Sequence, residues 1–156
     1  MFSRLVRRVT VLLRGSVFLA LYLGAASAFL PAATEIEIRR HGSMWAVVEA
    51  DGTIRINGSM VGRFEDDGTV RKNGSMVGEV EPGGIIRKHG SMVGEIEQGG
   101  TLRIRGSMRG EIESNGTIRL EGSLWGEARP CCGTYADLRA VAAVIVFFTG
   151  EFLPAK

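Results

Sequence analysis

The sequence contains two adjacent cysteines that do not belong to its repeats. Cys131 and Cys132 stand where glycine-rich repeats give way to an apolar C-terminal segment. Two thiols are too few to hold a metal ion alone. In an oxidising compartment they can form a vicinal disulfide, link two chains or carry a lipid. The simplest interpretation is that they are small buried residues in the turn into the next segment.

Other candidates for catalysis belong to the repeats. His41 and His89 occupy the same turn position as Asn57 and Asn73, so we interpret them as turn residues. The recurring serines each follow a turn glycine. The sequence shows no phosphate-binding loop, no zinc-ligand spacing and no carboxylate pair outside the repeats. We therefore predict that the protein is not an enzyme and has no catalytic residue, metal site or cofactor.

Six arginines recur every sixteen residues and form the largest charged set. One interpretation is a ring that binds anionic groups such as lipid phosphates. The other is a structural ladder of ion pairs, which we favour because paired opposite charges neutralise the ring. The arginines are Arg39, Arg55, Arg71, Arg87, Arg103 and Arg119. The ladder predicts Glu79 opposite Arg87, Glu95 opposite Arg103 and Glu111 opposite Arg119.

The elements that carry these arginines follow from the same period. Gly-Ser followed by Met or Leu recurs every sixteen residues from Gly42 to Gly122, and a second glycine turn lies between successive copies. Two turns per sixteen residues leave about five residues per strand, which predicts β-hairpins. Loops such as that ending at Gly68 suit three-residue turns with a left-handed glycine. Residues 35–129 thus predict a mainly β fold, a closed ring or shallow barrel of antiparallel hairpins.

The sequence is compatible with either five or six hairpins. Five are centred on glycine turns, and the strands at 35–40 and 124–128 are left to pair with each other, so we slightly favour six. The five turn glycines are Gly52, Gly68, Gly84, Gly100 and Gly116.

Four residue columns of the strand after Gly-Ser predict its faces. The methionines and the apolar residues four positions later, such as Met76 and Val80, share one face by their even spacing and point to the core. Val61, Val77, Val93 and the two tryptophans, Trp45 and Trp125, fall on the outer face. Glycines between the two core columns predict close approach of another backbone. These glycines are Gly62, Gly78, Gly94, Gly110 and Gly126.

The C-terminal part, residues 130–156, predicts a junction followed by a helix. Its apolar run from Ala140 to Phe148 is nine residues long, which is too short to cross a bilayer. A helix that is apolar on all sides is usually buried. We predict that it plugs the centre of the ring; a membrane-inserted tail and an interfacial helix are the alternatives.

The N-terminal residues 1–28 predict a signal peptide that is cleaved after Ala28, or an uncleaved membrane anchor over 15–33. Removing the four arginines of this segment from the 19 basic residues leaves 15, against 17 acidic residues. The remaining chain is slightly acidic, which argues against a nucleic-acid partner. The predicted location is therefore exported, in the periplasm or at the cell surface, or membrane-anchored.

The motif from Gly68 to Glu79, GTVRKNGSMVGE, resembles the repeats of bacterial β-flower proteins, particularly the five-fold type. The resemblance covers about 35–152. It implies a shallow barrel of hairpin petals, similar to the tubby C-terminal domain whose barrel surrounds a hydrophobic helix. It therefore implies a central helix here as well, and it supplies no catalytic residues.

Together these features predict a non-enzymatic exported or membrane-associated β-repeat protein that binds a lipid or an envelope partner. The alternative is a purely structural protein whose repeats assemble as an open solenoid or as stacked rings, with homo-oligomers as the product.

Overall fold

The computed structural model describes residues 34–153. The predicted signal peptide or anchor, residues 1–28, and its cleavage site after Ala28 lie outside the described residues. Within residues 34–153, no helix is both long enough and apolar enough to cross a membrane.

Twelve antiparallel strands and one helix make up the described part of the chain. Each strand pairs with the next, and the first strand also pairs with the last, so the sheet closes into a barrel. The bounds are Ile36–Arg40 (β1), Ser43–Val48 (β2), Thr53–Ile56 (β3), Ser59–Phe64 (β4), Thr69–Lys72 (β5), Ser75–Val80 (β6), Ile85–Lys88 (β7), Ser91–Ile96 (β8), Thr101–Ile104 (β9), Ser107–Ile112 (β10), Thr117–Leu120 (β11), Ser123–Arg129 (β12) and Tyr135–Phe148 (α1).

The predicted class, a mainly β closed antiparallel barrel with a C-terminal helix, is confirmed. The barrel is larger than a ring of five hairpins, because it includes the first and last strands of the repeats. These two strands pair in antiparallel register, with Glu37 opposite Arg129 and Ile38 opposite Ala128. Closure in this way leaves neither strand with an unpaired edge.

Two kinds of turn alternate along the barrel and lie at its opposite ends. Two-residue turns such as Asn73-Gly74 have φ angles of 49° and 81°, as the tightest hairpins require. Three-residue loops end in a glycine such as Gly68, with φ of 99°, whose N–H donates to the carbonyl oxygen of Glu65 at 2.9 Å. The loop geometry matches the sequence prediction.

Asp67 supports its three-residue loop through a carboxylate that accepts a hydrogen bond from the Thr69 N–H at 2.8 Å. This hydrogen bond lowers the pKa of Asp67 below its ordinary value of 3.8. A lowered folded-state pKa stabilises the fold above about pH 3.8, and this stabilisation is lost as the pH falls through the folded-state pKa.

Replacing Asp67 with alanine is therefore expected to lower the melting temperature by a few degrees at pH 7, and by less near pH 2. Thermal unfolding followed by circular dichroism measures both values. Asp66→Ala in the same exposed loop is the matched control. Equal shifts for the two variants at pH 7 would contradict the role of the Asp67 carboxylate.

A β-bulge after each two-residue turn reverses the predicted direction of the methionines. Met76 lies opposite Arg71, whereas Gly78 lies opposite Val70, so Val77 is an extra residue in its strand. The extra residue moves Met76 to the outer face and turns Val77 partly inward. Met76 is 54% exposed and Val77 is half-buried. The prediction that the methionine column points to the core was therefore wrong.

Helix α1 begins at a capping box in which Thr134 and Asp137 satisfy each other's backbone N–H groups. Every residue from Leu138 to Val146 is buried. The helix belongs to one hydrophobic cluster with the inward-facing strand residues. The innermost strand column is fully buried and consists of Ile38, Ile54, Val70, Ile86, Leu102 and Ile118.

Candidate functional site

All six repeated arginines form ion pairs on the outer face of the barrel. The nearest partner is a glutamate two or six residues earlier in the chain, at nitrogen–oxygen distances between 2.5 and 3.3 Å. Arg87 is 2.5 Å from Glu81 and 3.6 Å from Glu79, which lies opposite it. The hydrogen bond from Arg87 to Glu81 raises the pKa of Arg87. The geometry is that of a charge-neutralised column.

The other two register predictions also match strand pairing, with Glu95 opposite Arg103 and Glu111 opposite Arg119. The six arginine side chains are roughly a third to a half exposed, so each pair contributes only about 0–1 kcal/mol to stability. Arg63 faces Arg71 and donates to the Asp51 carbonyl oxygen at 2.8 Å.

A ring of exposed apolar side chains surrounds the barrel beside the two-residue turns. We call it the methionine ring. Its members are 54–68% exposed, and surface notches lie beside three of them. One notch has a volume of about 280 Å³ and is lined by Met60, Gly62 and Arg71. The members are Met44, Met60, Met76, Met92, Met108 and Leu124.

The end of the barrel that carries the methionine ring is basic. Lys72 and Lys88 are exposed there, and Arg40 and Arg105 occupy equivalent or adjacent positions in other hairpins. Arg40 is paired with Glu151, and Glu121 is the one acidic residue of the two-residue turns. The three-residue loops at the opposite end carry acidic residues, among them Asp51, Asp66 and Asp67. This polarity was not predicted, although alternating turns in an antiparallel barrel must lie at opposite ends.

The repeated glycines lie where any side chain would collide with the core. A Cβ atom at each of the five would come within hard contact of the backbone of a neighbouring strand. At Gly62 it would also lie 2.7 Å from the Phe148 ring, and at Gly110 2.9 Å from the Phe152 ring. Gly78 faces the Phe147 ring in the same way. Gly94 and Gly126 instead face Ile104 and the β1 backbone.

An aromatic cluster covers the seam where β12 meets β1. The ring centroids of Trp45 and Trp125 are 5.6 Å apart, and those of Trp125 and Phe152 are 5.4 Å apart. Glu151 accepts a hydrogen bond from the Trp125 indole at 2.5 Å and pairs with Arg40 at 2.6 Å. Trp125 is only 6% exposed. Its predicted place on the outer face was wrong, because the bulge turns this column inward.

Arg139 is a buried arginine in α1, directly before the apolar run that begins at Ala140. It is 8% exposed, donates a hydrogen bond to the Val80 carbonyl oxygen and lies 5.6 Å from the centroid of the Phe64 ring. Burial lowers its pKa. Its position at the polar edge of an apolar helix was the only signal in the sequence.

Cys131 and Cys132 are joined to each other by a disulfide at the junction between β12 and α1. Both are half-buried and pack against the core. His41 and His89 occupy first positions of two-residue turns, with φ near 50°. Within residues 34–153, no group of three or more His, Cys, Asp or Glu side chains is arranged to hold a metal ion.

Comparison of the chain with protein-family models, curated proteins and solved structures finds no match. The β-flower resemblance therefore rests on the sixteen-residue motif alone.

Proposed function

We propose that the protein is a non-enzymatic, exported or membrane-associated β-barrel of the β-flower type, with the helix α1 as its central plug. In this proposal it binds an anionic lipid surface through the methionine ring. The observation that carries the proposal is the exposure of six large apolar side chains around one end of the barrel. Single exposed apolar side chains are normal on a soluble protein, whereas an exposed apolar set concentrated at one place on the surface marks an interaction site.

The symmetry of the methionine ring favours a lipid surface over a single protein partner. Equivalent groups repeat around the whole circumference, so no side of the ring is distinguished from another. A layer of lipid headgroups is laterally uniform and can contact all of them at once. Methionine side chains are flexible and adapt to an irregular apolar environment.

The charge of the barrel ends supports an anionic surface in particular. Lys72 and Lys88 are exposed beside the methionine ring, where Glu121 is the one acidic residue of the two-residue turns and pairs with Arg109, whereas most exposed acidic residues lie at the far end. Each basic side chain near an anionic membrane contributes about 1 kcal/mol of attraction. The asymmetry would orient the methionine end toward the membrane.

Binding to vesicles tests this proposal. The full chain is expected to bind vesicles that contain phosphatidylserine and to bind pure phosphatidylcholine vesicles at least tenfold more weakly at low salt. The triple variant Met76→Glu, Met92→Glu, Met108→Glu is expected to lose at least tenfold in affinity, because it replaces apolar contacts with repulsive charge. Co-sedimentation measures both effects.

The matched control places three glutamates at exposed positions of the far end. This variant, Ala50→Glu, Pro82→Glu, Gln98→Glu, has the same net charge change and the same N-terminal segment. It is expected to bind as the original chain does. Equal binding by the original chain and the methionine-ring variant would refute the proposal.

The opposite charges of the two ends also favour a second candidate, a structural protein whose barrels stack head to tail. Sedimentation at increasing protein concentration distinguishes the two. A discrete small species supports the lipid-binding proposal, whereas polymers that dissociate in high salt support stacking.

A further inference from the structure

Arg139 has a buried charge without an acidic partner. It takes part in none of the ion pairs between residues 34–153. Its terminal nitrogen Nη2 donates to the carbonyl oxygen of Val80, and its Nε donates to no acceptor. A buried guanidinium normally has a carboxylate or a phosphate as its partner. Arg139 therefore lacks the anionic partner that a buried guanidinium normally has.

The position of Arg139 within the helix increases the free-energy cost of its unpaired charge. It is the fifth residue of α1, close to the positive end of the helix dipole. A cation is disfavoured near that end, and an anion is favoured. A bound anion would stabilise both the guanidinium and the first turns of the helix.

A cavity of about 170 Å³ lies beside Arg139. Glu49 and Glu65 at its edge are already paired with Arg55 and Arg71. The apolar part of its wall includes Ile36, Val48, Phe64, Ala136 and Ala140.

The remaining carboxylates at this cavity restrict the charge of a ligand. Asp137 lines it and accepts a hydrogen bond from the Thr134 N–H, and Asp66 lines it from an exposed loop. These negative charges oppose a multiply charged anion such as phosphate. A singly charged group with an apolar tail avoids most of this repulsion.

We propose that this cavity binds a short-chain monocarboxylate, with the carboxylate on the guanidinium of Arg139 and the aliphatic tail against the apolar wall. The carboxylate supplies the negative charge that the guanidinium lacks. The site lies away from the methionine ring and does not depend on it.

Sodium hexanoate is the probe for this site. It is expected to raise the melting temperature of the full chain in a concentration-dependent way, whereas hexanol and an equal concentration of sodium chloride are not. Arg139→Met is expected to weaken hexanoate binding at least tenfold, measured by titration calorimetry. Its melting temperature without ligand should equal or exceed that of the original chain, because an unpaired buried charge is removed.

Ala136→Phe provides a second variant that leaves Arg139 in place. Ala136 is exposed and lines the cavity, so the larger ring is expected to fill its mouth without disturbing the core. This variant should also bind hexanoate at least tenfold more weakly, and it decides the question if Arg139→Met fails to fold. Absence of hexanoate binding to the original chain, equal stabilisation by hexanol, or unchanged binding by Ala136→Phe would overturn the proposal.

Discussion

Replacing Gly78 with leucine is expected to destabilise the protein by about 3 kcal/mol or more. A Cβ atom at this position would collide with the Arg87 carbonyl oxygen and with the Phe147 ring. The carbonyl belongs to a paired strand and cannot move without breaking the ladder. The ring could move only by withdrawing from the buried cluster. A leucine adds three further carbons to the same space.

Thermal and urea unfolding measure the effect, which corresponds to a drop in melting temperature of about 10 °C. Gly94→Leu is expected to behave in the same way, because its Cβ would meet the Arg103 carbonyl oxygen and would lie 2.8 Å from Ile104 Cδ1.

Gly99→Leu is the matched control for both glycine variants. Gly99 lies in an exposed loop, and a Cβ there meets no atom within 4 Å. It is expected to melt within a few degrees of the original chain. If Gly78→Leu also melts within a few degrees of the original chain, the close contact between β6 and the end of α1 is refuted.

Replacing Val144 with aspartate is expected to prevent stable folding at pH 7. Val144 is 0% exposed, at the middle of a helix whose neighbouring residues are all buried. An unpaired carboxylate there costs about 4 kcal/mol or more, against a total stability of about 5–15 kcal/mol for an ordinary domain. Circular dichroism and urea unfolding should show loss of the cooperative transition.

Two comparisons separate charge from position. Ala136→Asp places the same group at an exposed position in the first turn of α1, where a negative charge is favourable, so little loss is expected. Val144→Asn keeps the polarity but removes the charge. In Val144→Asp the part of the loss caused by ionisation should disappear below about pH 3.9. A stable Val144→Asp variant at pH 7 would contradict the burial of the helix.

The repeat made most of the barrel predictable from local pattern. Each sixteen-residue unit contains a two-residue turn, a three-residue loop and two short strands, and each of these depends on residues within a few positions. The register between Glu79 and Arg87 follows from the loop length alone. The apolar run of α1 was equally local.

The predicted direction of the methionine side chains was wrong, although the sequence contains the conflict that produces the bulge. A two-residue turn at Asn73-Gly74 would pair Val70 with Val77 by simple counting. The buried glycine column instead requires Val70 opposite Gly78, as observed. One extra residue in the strand resolves the conflict. The residues between it and the turn then point to the opposite faces of the sheet.

Local spacing therefore determined the strands, the turns and the helix of this protein, because the hydrogen bonds that define them join residues close together in the chain. Which side chains meet inside and across the barrel was decided only by its closed tertiary structure. Burial of Trp125, exposure of the methionine ring and the unpaired charge of Arg139 depend on contacts between residues distant in sequence. The last two features carry the functional proposals, since binding depends on which groups the packed core leaves exposed or unsatisfied.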